Sequence, residues 1–191
     1  MERKVIYFEK VGAENTNSCL EIAKNAIRLE GYKHIVIAST TGKTGILFSE
    51  ALKGLTVNTV IVTHSSGFKE PNTIEMSDNV RKIIESHGAK VYTGTMLTHS
   101  LETALMEKFK GIYVTPAIII ANALRRFGEG PKVCCEIVMM AVDAGLIPEG
   151  EKVLAVAGTA MGADTVTVIK SAASKRFLDL RVLEILAKPG C

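Results

Sequence analysis

Short β-branched apolar runs alternate along this chain with stretches in which apolar residues recur every third or fourth position. The runs predict buried strands, and the longer period predicts amphipathic helices. Val5 to Phe8 opens as a short strand. Asn15 to Leu29 follows as a helix: Cys19, Ile22, Ala23, Ala26 and Ile27 share a face, Ser18 and Glu21 match a capping box, and Gly31 stops it. His34 to Ala38 is a strand, Thr44 to Lys53 a helix, and Thr59 to Thr63 a second buried strand. Ser77 to His87 turns Val80, Ile83, Ile84 and His87 inward as a helix ended by Gly88. Lys90 to Thr95 is a third strand, and His99 to Phe109 a helix. Thr115-Pro116 is an N-cap followed by proline at the first helical position, and Gly128 closes that helix. Pro131 opens the next helix and Gly145 ends it. Val153 to Ala157 and Thr165 to Ile169 are strands whose short link, Gly158 to Asp164, predicts antiparallel neighbours. The tail from Ser174 to Cys191 interleaves charges with Leu180, Val182, Leu183 and Ile185 and fits no single period.

Strands alternating with helices predict an α/β fold: a largely parallel sheet covered on both faces. The chain has 191 residues, enough for one such domain, and shows no repeat, low-complexity tract or linker. Hydrophobic residues make up 47% and charged residues 23%, the balance of a soluble globule. The net charge of +3 comes with no dense basic run, which argues against nucleic acid as a partner. No stretch reaches the roughly 20 apolar residues of a membrane span, and MERKVIYFEK lacks an apolar signal core. Cys19, Cys134, Cys135 and Cys191 form no Cys-x-x-Cys pair, and His34, His64, His87 and His99 are scattered, so no metal site is expected. Reduced thiols and a cytoplasmic location are the expectation.

The candidate chemistry lies in loops at strand ends. After Ile35, Val36 and Ile37 come Ser39, Thr40, Thr41, Gly42, Lys43 and Thr44, a strand, polar loop and helix start. Exposed first-turn amides and a positive dipole end suit an anion there. The same residue types also cap helices without binding anything. A triphosphate P-loop needs a glycine where Ile37 stands, so the motif is broken and the loop too short. Lys43 either reaches a phosphate or is a solvated helix-start lysine. Thr63 and His64 end the second strand and lead into a long polar loop, His64 to Pro71, that includes Gly67. His64 is either chemically active or a hydrogen-bonded structural residue. Gly158, Thr159, Met161, Gly162, Ala163 and Asp164 form a fourth loop after Thr93-Gly94-Thr95. Asp164 either bonds a ribityl or ribose hydroxyl or anchors its own turn. No Gly-x-Gly-x-x-Gly fingerprint occurs, and no Ser/His/Asp relay, carboxylate pair or metal cluster can be named.

The segments IVIASTTGKTG, VNTVIVTHSSGF and KVLAVAGTAMGADTVTV resemble the C-terminal domain of pyruvate kinase. The chain is still more similar to small stand-alone archaeal and bacterial proteins of that fold. Glu14-Asn15, Ala38 to Gly42, Thr63 to Pro71, Thr93 to Thr95, Lys132 to Glu151 and Gly158 to Thr165 carry the likeness. The resemblance implies a three-layer α/β/α fold with about five strands in the order 3-2-1-4-5, the last antiparallel. It implies that Ser39 to Thr44 takes a phosphate and that Gly158 to Asp164 flanks the ligand. Flavin mononucleotide (FMN) is the implied cofactor. Ala160 and Met161 replace bulky sugar-gripping residues, which speaks against a sugar bisphosphate. Pyruvate kinase activity is not expected, since the catalytic barrel is not in this sequence.

The expectation is therefore a protein binding a phosphorylated small molecule, FMN, as a flavin oxidoreductase or without catalysis. The rival is an effector domain that binds a sugar phosphate or nucleotide. Apolar faces at Ile118 to Ala123 and Ile137 to Met140 leave a homo-oligomer open, although core burial explains them more simply. Replacing Ser39 and Thr44 with Ala, or Gly42 with Val, is expected to weaken phosphate binding without unfolding the chain.

Overall fold

In the computed structural model, which describes residues 2, 4–109 and 114–190, the buried runs assemble into a single seven-stranded sheet among the described residues. The strands are β1 (Ile6–Phe8), β2 (His34–Ala38), β3 (Asn58–His64), β4 (Lys90–Gly94), β5 (Lys152–Ala157), β6 (Thr165–Lys170) and β7 (Arg181–Pro189). Their order is β1-β7-β6-β5-β2-β3-β4. The expected count of about five is corrected to seven. The difference lies at one edge, where the ambiguous tail supplies β7 antiparallel to β6, and β1 pairs parallel with β7. β7 hides its period because it is half exposed and bulged against β6, so charges sit between its apolar residues.

The helices are α1 (Thr16–Glu30), α2 (Lys43–Leu52), α3 (Asp78–Ser86), α4 (Leu101–Phe109), α5 (Pro116–Leu124) and α6 (Glu129–Asp143). Thr115 caps α5 through its side chain, as the sequence predicts, and Ser77, expected as the first helical residue, caps α3 in the same way. The Ser18–Glu21 capping box does not form. A 3-10 turn (Ala13–Asn15) moves the helix start upstream to Thr16, whose hydroxyl donates to Ala13 O at 2.8 Å. Pro131 lies inside the first turn of α6, two residues after the start at Glu129, where its missing N–H costs nothing.

One face of the sheet packs Ile35, Ile37 and Ile61 against α1, α2 and α3, with Phe48 and Ile84 fully buried between them. The other packs Val36, Val60 and Ala155 against α6, which buries nearly its whole length. Fully burying one such aliphatic side chain stabilises by about 1.5–3 kcal/mol. β2 is parallel to both neighbours, β3 and β5. From β2 the chain moves outward through β3 to β4, then crosses back by way of α4, α5 and α6 to β5 on the other side. The β2/β5 boundary is therefore the topological switch point, where open α/β sheets leave a crevice at the strand C-termini.

Candidate functional site

The crevice is built from the turn that follows β2. Ser39 N donates to Val62 O at 2.9 Å, which carries the β2–β3 ladder one step past Ala38. The buried Ser39 hydroxyl then accepts from Gly45 N at 2.9 Å, capping α2 from six residues upstream. Gly42 starts the helix with φ at 94°, in the left-handed region. A Cβ there would also lie 2.1 Å from Val80 Cγ1, so glycine is required twice over. Ile46 N donates to Gly42 O, while the amides of Lys43 and Thr44 find no protein acceptor among the described residues. These two donors stand at the start of α2 with the helix dipole behind them and the exposed Thr41 and Lys43 side chains beside them.

Thr63 and His64 close one wall. Thr63 Oγ1 donates to Thr40 O at 2.7 Å, which fixes the Thr40 backbone. His64 Nδ1 donates to Glu75 Oε2 at 2.8 Å, and His64 Nε2 lies 3.4 Å from Thr40 Oγ1. Phe68 leans on the imidazole with ring centroids 4.3 Å apart. The structure therefore joins Thr40, His64 and Glu75, a constellation that the sequence could not show because Glu75 follows an irregular loop. Gly67 stands apart: its amide donates to Thr73 O at 2.8 Å, so it serves the turn of its own loop.

The hairpin loop from Gly158 to Asp164 leaves β5 beside the Ser39 turn, since Ile37 pairs with Val156. Its polar groups turn elsewhere. Fully buried Asp164 accepts from Gly12 N at 2.9 Å and Thr159 N at 3.0 Å through Oδ2, and from Thr165 Oγ1 at 2.8 Å through Oδ1. Of the two readings of Asp164, the turn anchor is the one that its bonds fill. Ala163 N donates to Thr16 Oγ1 at 3.0 Å, and a Cβ on Gly162 would lie 2.5 Å from Ala13 Cα. Gly158, Gly162, Ala163 and Asp164 thus seat the loop on the entry to α1. Thr159 is half-buried, and Met161, at 67% exposed, forms the outer rim.

On the α6 face, next to the loop after β4, lies a buried ion pair. Lys132 Nζ donates to Glu136 Oε2 at 2.6 Å, with both side chains all but inaccessible. Glu136 Oε1 accepts from Thr98 N and Thr98 Oγ1, each at 2.8 Å. Burial alone would raise the Glu136 carboxyl; Lys132 and the two Thr98 bonds outweigh it and hold it below the usual carboxylate range. Because the Thr98 hydroxyl donates to Glu136, it accepts from His99 Nδ1 at 2.9 Å, which leaves His99 Nε2 to accept from Arg125 Nη2 at 3.5 Å. Arg125 in turn pairs with Glu129 at 2.6 Å. A cavity of about 400 Å³ opens beside this chain of bonds, lined by Thr98, His99, Met106, Ile118, Ala121 and Arg125. No group of three or more His, Cys, Asp or Glu among the described residues is placed to hold a metal.

The pyruvate kinase alpha/beta domain model matches residues 17–169. The chain belongs to the pyruvate kinase alpha/beta domain family. A pyruvate kinase from Cryptosporidium parvum is similar at 17% identity over 81% of this chain, with a TM-score of 0.41. A second Cryptosporidium parvum pyruvate kinase structure gives 16% identity over 85% of this chain and a TM-score of 0.40. This alpha/beta domain spans only 23% of the length of each. NMN synthetase from Francisella tularensis is a more distant likeness, with 14% identity over 73% of this chain and 52% of its own and a TM-score of 0.39. The family match starts just after the Thr16 that supports the hairpin loop, and it includes the whole Ser39–Thr44 turn of this pyruvate kinase alpha/beta domain.

Proposed function

We propose that this domain binds a phosphorylated cofactor, FMN, with its phosphate on the Ser39–Thr44 turn at the β2/β5 switch point. The observation that carries the reading is the pair of unengaged first-turn amides, Lys43 and Thr44, at the C-terminal edge of the sheet. The donor set suits one phosphate: two amides, the Thr40 and Thr41 hydroxyls, and Lys43 as a point charge. Ile37, buried in β2, leaves a turn too short to wrap a triphosphate.

FMN would supply redox chemistry; the residues of the chain would bind and orient it. The Lys43 and Thr44 amides hold phosphate, His64 bounds the turn from the β3 side, and Thr159 and Met161 border it from the β5 side. Gly158, Gly162, Ala163 and Asp164 support that border from inside. In this reading the protein is intracellular, and its partner is a small molecule.

An absorption spectrum of the freshly purified protein, with mass spectrometry of what denaturation releases, tests the proposal. A flavin spectrum and an FMN mass are the expected result. A colourless protein that also fails to bind added FMN would sink it, and sugar phosphates or nucleotides that bind the same turn would establish the effector-domain alternative.

A further inference from the structure

We propose that Thr40, His64 and Glu75 are a catalytic relay that hydrolyses phosphomonoesters, with Thr40 as the nucleophile. The substrate class rests on the phosphate-binding reading above; the relay rests on geometry of its own. A hydroxyl, a histidine and a carboxylate stand in series, with 3.4 Å from Thr40 Oγ1 to His64 Nε2 and 2.8 Å from His64 Nδ1 to Glu75 Oε2. An activated nucleophile has this signature: a base within reach of the hydroxyl, itself oriented by a third group. Glu75 accepts a hydrogen bond from His64 Nδ1–H, which leaves Nε2 as the acceptor facing the hydroxyl. Two further contacts hold the ring and the hydroxyl residue in place. Phe68 packs on one side of His64, and the Thr63 hydroxyl locks the Thr40 carbonyl at 2.7 Å. Thr40 itself sits where a strand turns into a helix, two residues before Gly42, so an attacking oxygen there lies beside the α2 amides.

In the first step Thr40 Oγ1 bonds to the phosphorus as the bond from phosphorus to the ester oxygen breaks. The Thr40 proton passes to His64 Nε2 and on to the departing alkoxide, giving a free alcohol and phosphothreonine. In the second step His64 takes a proton from water, whose oxygen attacks the phosphorus. The Thr40–phosphorus bond breaks, and the proton returns to the Thr40 oxygen, releasing inorganic phosphate. The sum is ester plus water to alcohol plus phosphate, with no outside reactant.

The test incubates the full chain, with no FMN added, with p-nitrophenyl phosphate, following nitrophenol and inorganic phosphate. Turnover is expected, together with a phosphoryl adduct on the peptide bearing Thr40 after an acid quench. Thr40→Ala should abolish both and Thr40→Ser should keep both. His64→Gln should lower the rate on the order of 10²–10⁴-fold, and Glu75→Gln should change the shape of the pH–rate profile. Phosphate release that survives Thr40→Ala would overturn the relay. So would wild-type protein that binds FMN, seen by flavin fluorescence, yet releases no phosphate from p-nitrophenyl phosphate. Loss of FMN binding alone, with p-nitrophenyl phosphate still turned over, would overturn the cofactor reading and leave the relay standing.

Discussion

At residue scale the turn after β2 divides into positions that build the site and positions free to touch a ligand. Ser39 caps α2 from inside, and Gly42 lies in left-handed backbone against Val80. Ser39→Ala and Gly42→Val should therefore lower stability as well as weaken binding. Ser39→Ala should cost about 0.5–2 kcal/mol as a lost cap, and Gly42→Val at least about 1–3 kcal/mol from overpacking alone. Urea unfolding would show both losses. Lys43→Ala and Thr41→Ala, on exposed side chains, should leave the urea midpoint unchanged and weaken phosphate binding. Residue type and spacing marked this turn in the sequence because the small polar residues follow a β-branched run directly. Glu75 gave no such signal, since an irregular loop places it beside His64. Asp164 was readable two ways for a similar reason: its partner Gly12 is 152 positions away along the chain.

At element scale the side-chain cap at Thr115 was legible because it stands directly before a helix-starting proline, and Ser77, read as the first helical residue, takes the same role. The clamp between α5, α6 and the loop after β4 is not local, and no window of sequence contains it. In it His99 donates to Thr98 and accepts from Arg125, a pattern open only to neutral imidazole. Burial, first of all, and then the positive charge of Lys132 press the His99 pKa below its ordinary 6.5; Glu136 pulls it back, Arg125 lowers it and Glu129 raises it again. A histidine depressed on folding contributes stability that is complete above its unfolded pKa and is lost as pH falls through the folded value. The clamp should thus hold at pH 7.5 and loosen as pH falls below 6.5. Hydrogen exchange at Thr98 and along α5 would show protection falling in acid; His99→Gln should flatten that dependence, and an equal acid loss in the variant would refute the assignment.

At the scale of the whole molecule, the alternation of strands and helices foretold the layers and the short opening strand β1, while β7 escaped notice. β7 is half exposed and bulged against β6, and such a strand gains its stability from partners that no local pattern names. The interior also isolates the thiols. Burial raises Cys19 and Cys135 to about 12 and Cys134 beyond that; Cys191 lies outside the described residues. In a Cys191→Ser background a thiol reagent should find the folded protein inert and react with three thiols on unfolding; prompt reaction before unfolding would contradict the packing. The sheet edge has another consequence, in time. Ile6 pairs with Ala187 and Phe8 with Pro189, while Gly12 is held by Asp164. On the ribosome, then, β1 has no partner strand to settle on until β7 emerges, and this edge of the sheet can close only after everything between the two strands has been made.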